Sequence, residues 1–311
     1  MTLTQLSYIV AVDKYRHFAT AAEKIYVTQP TLSMQIHKLE EQLGVKIFDR
    51  SKSPVVPTEI GEKIIRQAKE ILRESRNLED LAQFSDGKLQ GTFRVGIIPT
   101  VAPYLIPVFL RDFVKSYPDV ELVFSEQLTN EVVRGLADDS LDLGIIATPA
   151  EQSHLHLEEL FVEPFIGYLS LNHPLAEKKT LSVDDLDQQN IWLLNEGHCF
   201  RDQTIKLCKQ VREKNDSMIR FQSGNLETLK KLVEQNFGMT LLPWLALQAF
   251  DQNCSEAIVK EFADPVPSRK IRLAYSREFL KQNIIRAFAE VIRRNLPEEL
   301  HQIDDVMVID E

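Results

Sequence analysis

Residues 18–50 read FATAAEKIYVTQPTLSMQIHKLEEQLGVKIFDR, and the fold of the first sixty residues follows from how that string breaks. Phe18 to Ile25 reads as a short helix, with Ala19, Ala21 and Ala22 small enough to sit where two helices cross. A break at Tyr26-Val27-Thr28 follows. Thr28 is placed as an N-cap, and Pro30 falls in a first turn, where its missing N–H does no harm. In the next helix Leu32, Ile36, Leu39 and Leu43 recur at helical spacing and are expected inside. Thr31, Ser33, Met34, Gln35, His37 and Lys38 are left facing out, with Thr28 and Gln29 at the helix head. Leu3, Leu6, Ile9 and Val10 mark an earlier amphipathic helix. Two short helices around a tight break form a helix-turn-helix, whose exposed hydroxyl, amide and amine groups reach base edges and phosphates of double-stranded DNA. Val45 to Lys52 and Val55-Val56-Pro57 then read as two β-like runs around a basic turn, a wing that brings Arg50 and Lys52 to the phosphate backbone. The helical pattern alone fits any small bundle with a polar third helix.

A formal net charge of −10 over 311 residues argues at first against a nucleic-acid partner. The charge is uneven, however. Residues 1–86 hold 12 basic and 12 acidic side chains, so the whole excess lies in 87–311. A neutral head with local basic clusters on an acidic body is compatible with DNA binding through the head alone. The length implies two or three domains. No apolar run reaches the ~20 residues that span a bilayer, and the first thirty residues carry charges rather than a secretory signal. Three cysteines are too few for a secreted disulfide scaffold, so a cytoplasmic protein is expected.

Between head and body, Ile64, Ala68, Ile71, Ser75, Leu78 and Ala82 alternate in steps of four and three, flanked by Ile65 and Leu72. That is a heptad seam running to Gly87. Such a helix either packs on its own domain or pairs with a second chain through Ile64, Ala68, Ile71 and Leu78; pairing is the expectation here. From residue 90 strand-like and helix-like runs alternate: strands at 92–98, 120–126 and 141–147, helices at 101–116 and 130–136. A second unit follows, with strands near 164–171 and 191–194 and helices near 203–213 and 225–236. A strand at 271–275 and a helix at 280–294 return to the first. This alternation implies a parallel sheet covered by helices, in two lobes around a cleft.

One stretch in the second unit carries chemistry. In Asn195–Cys208, Asp202 reads as an N-cap, and Ile205, Cys208 and Val211 follow at helical spacing. Cys199 then lies just ahead of a helix start, with His198 and Arg201 beside it, and a helix N-terminus and nearby cations favour the thiolate. Cys208 lies on the apolar face of that helix. Nine residues of helix hold the two backbones more than ~7 Å apart, too far for a disulfide unless the segment refolds. That is the layout of a redox switch. Cys254 sits in a polar loop with no motif, and His154 with His156 is too sparse for a metal site. No P-loop, dinucleotide-binding glycine pattern, nucleophile elbow or catalytic carboxylate pair is found, so neither a cofactor nor an enzyme is expected. The acidic tail from Leu296 is expected to be disordered, although Val306 to Ile309 could pair with a sheet edge.

The string 18–50 closely resembles the DNA-binding head of LysR-type transcriptional regulators. GIIPTVAPYLIP (96–107), HCFRDQTIKLC (198–208) and SGNLETLKKLVEQNFGMTLLP (223–243) extend the resemblance over nearly the whole chain, to the peroxide-sensing subgroup of that family. It implies a winged helix-turn-helix at 1–60, a dimerising linker helix at 61–88, and an α/β effector region of two Rossmann-like lobes built like a periplasmic binding protein. Lobe I would comprise 89–162 and 267–295, lobe II 163–266 with the cysteines, and 296–311 the tail. It further implies that Cys199 is the peroxidatic cysteine and Cys208 the resolving one. Thr100 and Thr129 would be pocket hydroxyls, His198, Arg201 and Asp202 their neighbours, and Arg269, with Arg272 as the alternative, a cleft arginine. The implied partners are hydrogen peroxide, double-stranded DNA, RNA polymerase and a homodimer or homotetramer. Two other readings stay open: a regulator answering a metabolite in the cleft, with incidental cysteines, and a thiol peroxidase.

Overall fold

The computed structural model describes residues 1–83, 89–148, 155–186, 191–208, 223–249, 256–276, 281–301 and 305–309. Cys254, His154, Gly87 and Val211 lie outside them. The chain divides into two compact units, Met1–Asp86 and Gly87–Glu311.

The first unit opens with α1 (Leu3–Tyr15), α2 (Phe18–Lys24) and α3 (Gln29–Leu43). Thr2 begins α1 with a reciprocal capping box to Gln5. Thr28 caps α3 as expected: its hydroxyl accepts from Thr31 N at 3.4 Å. Leu6, Ile9, Val12, Ala21, Ala22, Leu32, Ile36 and Leu39 are all buried and form one core with Ile47 and Phe48. Leu43, expected inside, is 39% exposed. The inward position in the last turn of α3 is taken instead by Glu40, whose carboxylate is buried and accepts from Ile47 N at 2.8 Å and Phe48 N at 3.3 Å. The wing is β1 (Phe48–Asp49) antiparallel to β2 (Val56–Pro57).

The linker helix α4 (Glu59–Gln83) runs 25 residues, about 37 Å at 1.5 Å per residue. It does not stand apart from the head. Ile65 and Ala68 are buried in the head's own core, Ile64 and Leu72 pack against it, and Lys69 reaches Asp13 of α1 at 3.0 Å. Ala68 is thereby corrected: at 1% exposure it already has its packing partners and cannot serve a seam with another chain. Ile71 and Leu78 remain exposed, at 39% and 70%.

The second unit begins with β3 (Gly91–Ile97), α5 (Ala102–Ser116), β4 (Val120–Glu126), α6 (Thr129–Ala137) and β5 (Leu143–Ile146), close to expectation. β6 (His156–Ser170) is twice the expected length because one strand serves both halves. β7 (Ile191–Trp192), α7 (Cys199–Leu207), α8 (Leu226–Glu234), β8 (Met239–Pro243) and β9 (Ala257–Lys260) follow. The chain returns through β10 (Val266–Tyr275), α9 (Gln282–Asn295) and β11 (Val306–Val308). Among the described residues these nine strands join one sheet in the order β4-β3-β5-β10-β6-β8-β7, with β11 beside β10 and β9 beside β6. β3, β4 and β5 are parallel, while β10 and β6 are antiparallel to their neighbours in the path. Phe93 points to a face where Phe109, Phe113 and Phe288 meet edge to face, with Phe109–Phe288 centroids 5.0 Å apart. On the opposite face Val132 of α6 lies over Gly96 and Gly144. Of the tail, for which disorder was the default, the described residues 305–309 reach a sheet edge, the alternative considered for Val306 to Ile309. Val306–Val308 pair in parallel with Val266–Ser268. No described helix is long and apolar enough to cross a membrane.

Candidate functional site

In the first unit the outward residues of α3 form a polar face whose members are already tied together. Gln29, Pro30, Ser33, Met34, His37, Lys46 and Arg50 line one shallow concavity. Thr28, Gln29, Met34, His37, Lys38, Arg50 and Lys52 are exposed, and Thr31, Ser33 and Gln35 are half-buried. Thr31 and Thr28 share a hydroxyl hydrogen bond of 2.8 Å. Gln35 is turned inward, accepting from Gln5 Nε2 at 3.3 Å, so it braces α1. Arg50 lies over the Phe18 ring at 4.8 Å, donates to Ser33 Oγ at 3.0 Å and approaches Glu40 at 3.5 Å. Glu40, which helical periodicity did not single out, thus fixes Lys46 and Arg50 at the wing. The Ser51 hydroxyl and amide bind Asp49 and, with Lys52 nearby, hold its carboxyl below the usual range. The turn is thereby preorganised beside two cations.

In the second unit the site is built around α7. The helix begins four residues earlier than Asp202 had implied. Gly197, in left-handed backbone (φ 93°), delivers an extended His198 as the capping residue, so Cys199 is the first helical residue. The thiol therefore lies in the first turn, where backbone N–H groups have no helical partner and the dipole favours an anion. Cys199 and Cys208 are both buried, at 6% and 5% exposure, and both carry thiols rather than a disulfide. Cys208 is not on the helix face. It is the C-cap, in extended backbone (φ −94°, ψ 103°), where α7 stops. Across nine helical residues the rise is about 13 Å, roughly twice the Cα separation that a disulfide tolerates.

His198 is 7% exposed, and burial pushes its imidazole below the ordinary value. Its lowered pKa favours the neutral imidazole at pH 7. Arg201 is half-buried, with Nη1 3.5 Å from the Leu194 carbonyl, and Asp202 is exposed in the first turn.

Three other elements meet the head of α7. The first is the start of α6. A Cβ on Gly197 would stand 3.2 Å from Leu128, the capping residue of α6, so Thr129 opens a helix directly behind the turn that leads to Cys199. Thr129 is the first residue of α6 rather than its cap, and its hydroxyl is buried without a hydrogen-bond partner. The second is β10, where Arg269 lies over the Phe200 ring at 4.9 Å. The third is the turn after β3. Arg269 Nη1 donates to Thr100 Oγ1 at 3.0 Å and Nη2 to Thr100 O at 3.1 Å. Between the two candidate arginines, Arg269 is the one joined to Thr100. Its charge is met by Glu163 of β6, with Nε and Nη2 at 2.9 and 2.7 Å from Oε2. Glu163 and Arg269 are each 1% exposed. Glu163 had not been singled out, although a carboxylate inside the apolar run 160–169 was a visible signal. Farther along, Tyr104 of α5 donates to Glu227 of α8 at 2.7 Å and ties the two halves. Burial first, then this carboxylate, hold the phenol protonated. Among the described residues no cluster of His, Cys, Asp and Glu could hold a metal ion.

Two family models cover the chain. A bacterial regulatory helix-turn-helix of the lysR family matches residues 3–62, and a LysR substrate binding domain matches 86–297. The chain is 34% identical over 275 residues to a hydrogen peroxide-inducible genes activator of Haemophilus influenzae, covering 88% of this chain and 90% of the relative. Among solved structures it is similar to full-length OxyR of Pseudomonas aeruginosa carrying a cysteine-to-aspartate substitution. The TM-score is 0.75 at 34% identity, covering 95% of this chain and 99% of that one. It is also similar to a hydrogen peroxide-bound cysteine-to-serine OxyR of Corynebacterium glutamicum, at 30% identity and TM-score 0.64, covering 96% and 94%. With a winged helix-turn-helix and a LysR substrate binding domain accounting for most of its length, this chain belongs to the LysR family of bacterial transcriptional regulators.

Proposed function

We propose that this chain is a DNA-binding regulator activated by hydrogen peroxide through Cys199 and Cys208. The observation that carries the reading is the pair of buried thiols at the two ends of one unbroken helix. Cys199 thiolate attacks one peroxide oxygen, the O–O bond breaks, and the other oxygen leaves as hydroxide that takes up a proton to become water. Cys199 is then a sulfenic acid. Cys208 sulfur attacks that sulfur, a second water leaves, and two thiols plus one peroxide have become one disulfide and two waters. Closing a loop of ~10 residues constrains the chain by roughly 2–3 kcal/mol, enough to select between two packings of similar energy.

The pocket for the oxidant draws on the partnerless Thr129 hydroxyl, Thr100 and the Arg269 that fixes it, and neutral His198 as a hydrogen-bonding group. Arg201 and Asp202 stand on the same first turn of α7. Strands β3 to β5 with α9 form a first regulatory lobe, and α7 with α8 and β7 to β9 a second. The α3 face with Arg50 and Lys52 binds double-stranded DNA, Ile64, Ile71 and Leu78 of the linker join a second chain, and dimers combine into tetramers. Refolding around α7 changes the spacing that paired heads grip, and with it the contact with RNA polymerase. A cytosolic dithiol reductant resets the disulfide.

The test is alkylation mass spectrometry before and after stoichiometric peroxide, paired with a DNA footprint. One Cys199–Cys208 bond and an altered footprint are expected. An unchanged footprint in fully oxidised protein rejects the reading. Induction that survives Cys199→Ser would return the cleft to a metabolite.

A further inference from the structure

Gln203 lies midway between the two cysteines, on the inner face of α7, with no exposed surface. Its surroundings are set by the edge of β10. Along that edge β5 pairs with Arg272–Ala274, running antiparallel, and β11 pairs with Val266–Ser268, running parallel. The C-terminal ends of β5 and β11 therefore point toward each other across Arg269–Ile271. The carbonyls that end them belong to Ala147 and Ile309, and Gln203 Nε2 donates to both, at 3.1 and 3.2 Å. A carboxamide has two N–H hydrogens, so its donor capacity is fully used as a bridge. The carboxamide oxygen is buried with no hydrogen-bond partner, so the two donated bonds are what hold the group in place. Otherwise the end of the tail strand is held to β10 by backbone pairing, finishing with Ile309 N to Ser268 O at 2.8 Å.

We infer that Gln203 is a positioning residue that couples the thiol state of Cys199 and Cys208 to the docking of β11 on β10. The inference rests on the disulfide reading above. With both thiols present α7 is helical, and Gln203 clasps the tail strand to the end of β5. The disulfide cannot form over nine helical residues, so α7 unwinds and the carboxamide is withdrawn. The short tail strand then loses its clasp and leaves the β10 edge, and Val266–Ser268 present open backbone donors and acceptors. The coupling is reciprocal: whatever the dithiol form contributes to tail docking, tail docking contributes to the dithiol form.

Hydrogen exchange of the full-length protein, followed at residues 305–309 with disulfide quantified in the same samples, tests this directly. We expect slow exchange in the dithiol form and at least tenfold faster exchange after stoichiometric peroxide. Complete disulfide with unchanged tail exchange overturns the coupling and leaves the switch standing. Absence of the disulfide overturns both. Gln203→Met, which keeps volume and removes both donors, should expose the tail in the reduced protein. It should also shift the thiol–disulfide equilibrium toward disulfide by about tenfold, a midpoint about 30 mV more negative. Removing residues 305–311 should shift the midpoint in the same direction, and the two changes together should not add. A midpoint unmoved in either variant, or shifts that simply sum, overturns the inference. A Gln203 that merely stabilised the fold would lower the melting temperature and leave tail protection and midpoint alone.

Discussion

Glu163 and Arg269 form an ion pair in which each side chain is 1% exposed. Two further bonds run from Arg269 to Thr100, and Glu163 Oε1 accepts from Leu245 N at 3.0 Å, so the pair is nearly saturated. Removing one partner from such a pair leaves an uncompensated buried charge, which costs about 3–5 kcal/mol. Glu163→Ala should therefore lower the unfolding free energy of the second unit in urea by that amount, whereas half-buried Lys270, which pairs with Glu159, should tolerate alanine within about 1 kcal/mol. The buried imidazoles His173 and His198 predict a pH effect. Burial depresses both below 6.5, so on acidification through 6.5 the unfolded chain binds protons before the folded one does. Stability is full above that point and falls as pH drops below it. Thermal melts between pH 7.5 and 5 should decline in the wild type and decline less in His173→Gln/His198→Gln; identical profiles would contradict the burial argument.

Helices and turns carry the next level. Gly61 sits where α4 crosses the chain leading into the wing, and a Cβ there would stand 2.0 Å from the Ile47 carbonyl. That oxygen is backbone and already accepts from Thr58 N at 2.9 Å, so it cannot step aside cheaply. Gly61→Ala should destabilise the head by 1–3 kcal/mol or more and weaken DNA binding with it, as circular dichroism melts and gel shifts would record. Periodicity gave α2 and the start of α3 to within one residue, because capping by Thr28 and burial of Leu32, Ile36 and Leu39 are decided by neighbours in sequence. It failed at chain ends and crossings. Leu43 lost its inward place to Glu40, and Ala68 was spent on α1 rather than on a second chain. In α7 the start was misplaced because Gly197 and an extended His198 open the helix without a side-chain cap, a signal that capping rules do not see.

For the whole molecule, charge is separated between units, with the excess of acid in residues 87–311. If Lys38, Lys52 and Arg50 bind DNA as proposed, the acidic body repels the duplex while the balanced head attracts it. Binding should weaken steeply with salt, and Lys52→Gln should reduce the slope of log K against log salt by about one. Exposed Ile71 and Leu78 on α4 make a further expectation: Ile71→Glu/Leu78→Glu should shift sedimentation toward the monomer while the head's melting temperature holds. If the assembly is unchanged, the linker is not the joining surface.

By itself the sequence determined the helix-turn-helix, the alternation of strand and helix in the body, and two cysteines nine residues apart at a helix. All of these rest on interactions within a few turns of chain, where spacing and capping are sufficient. Only the tertiary structure decided that Thr100 and Arg269, 169 residues apart, share a hydrogen bond, that Glu163 neutralises the latter, and that Gln203 reaches a tail 106 residues away. Those meetings depend on which strands lie side by side and in what register. Register is settled collectively by the burial of whole sheet faces, so no local pattern of residues announces it.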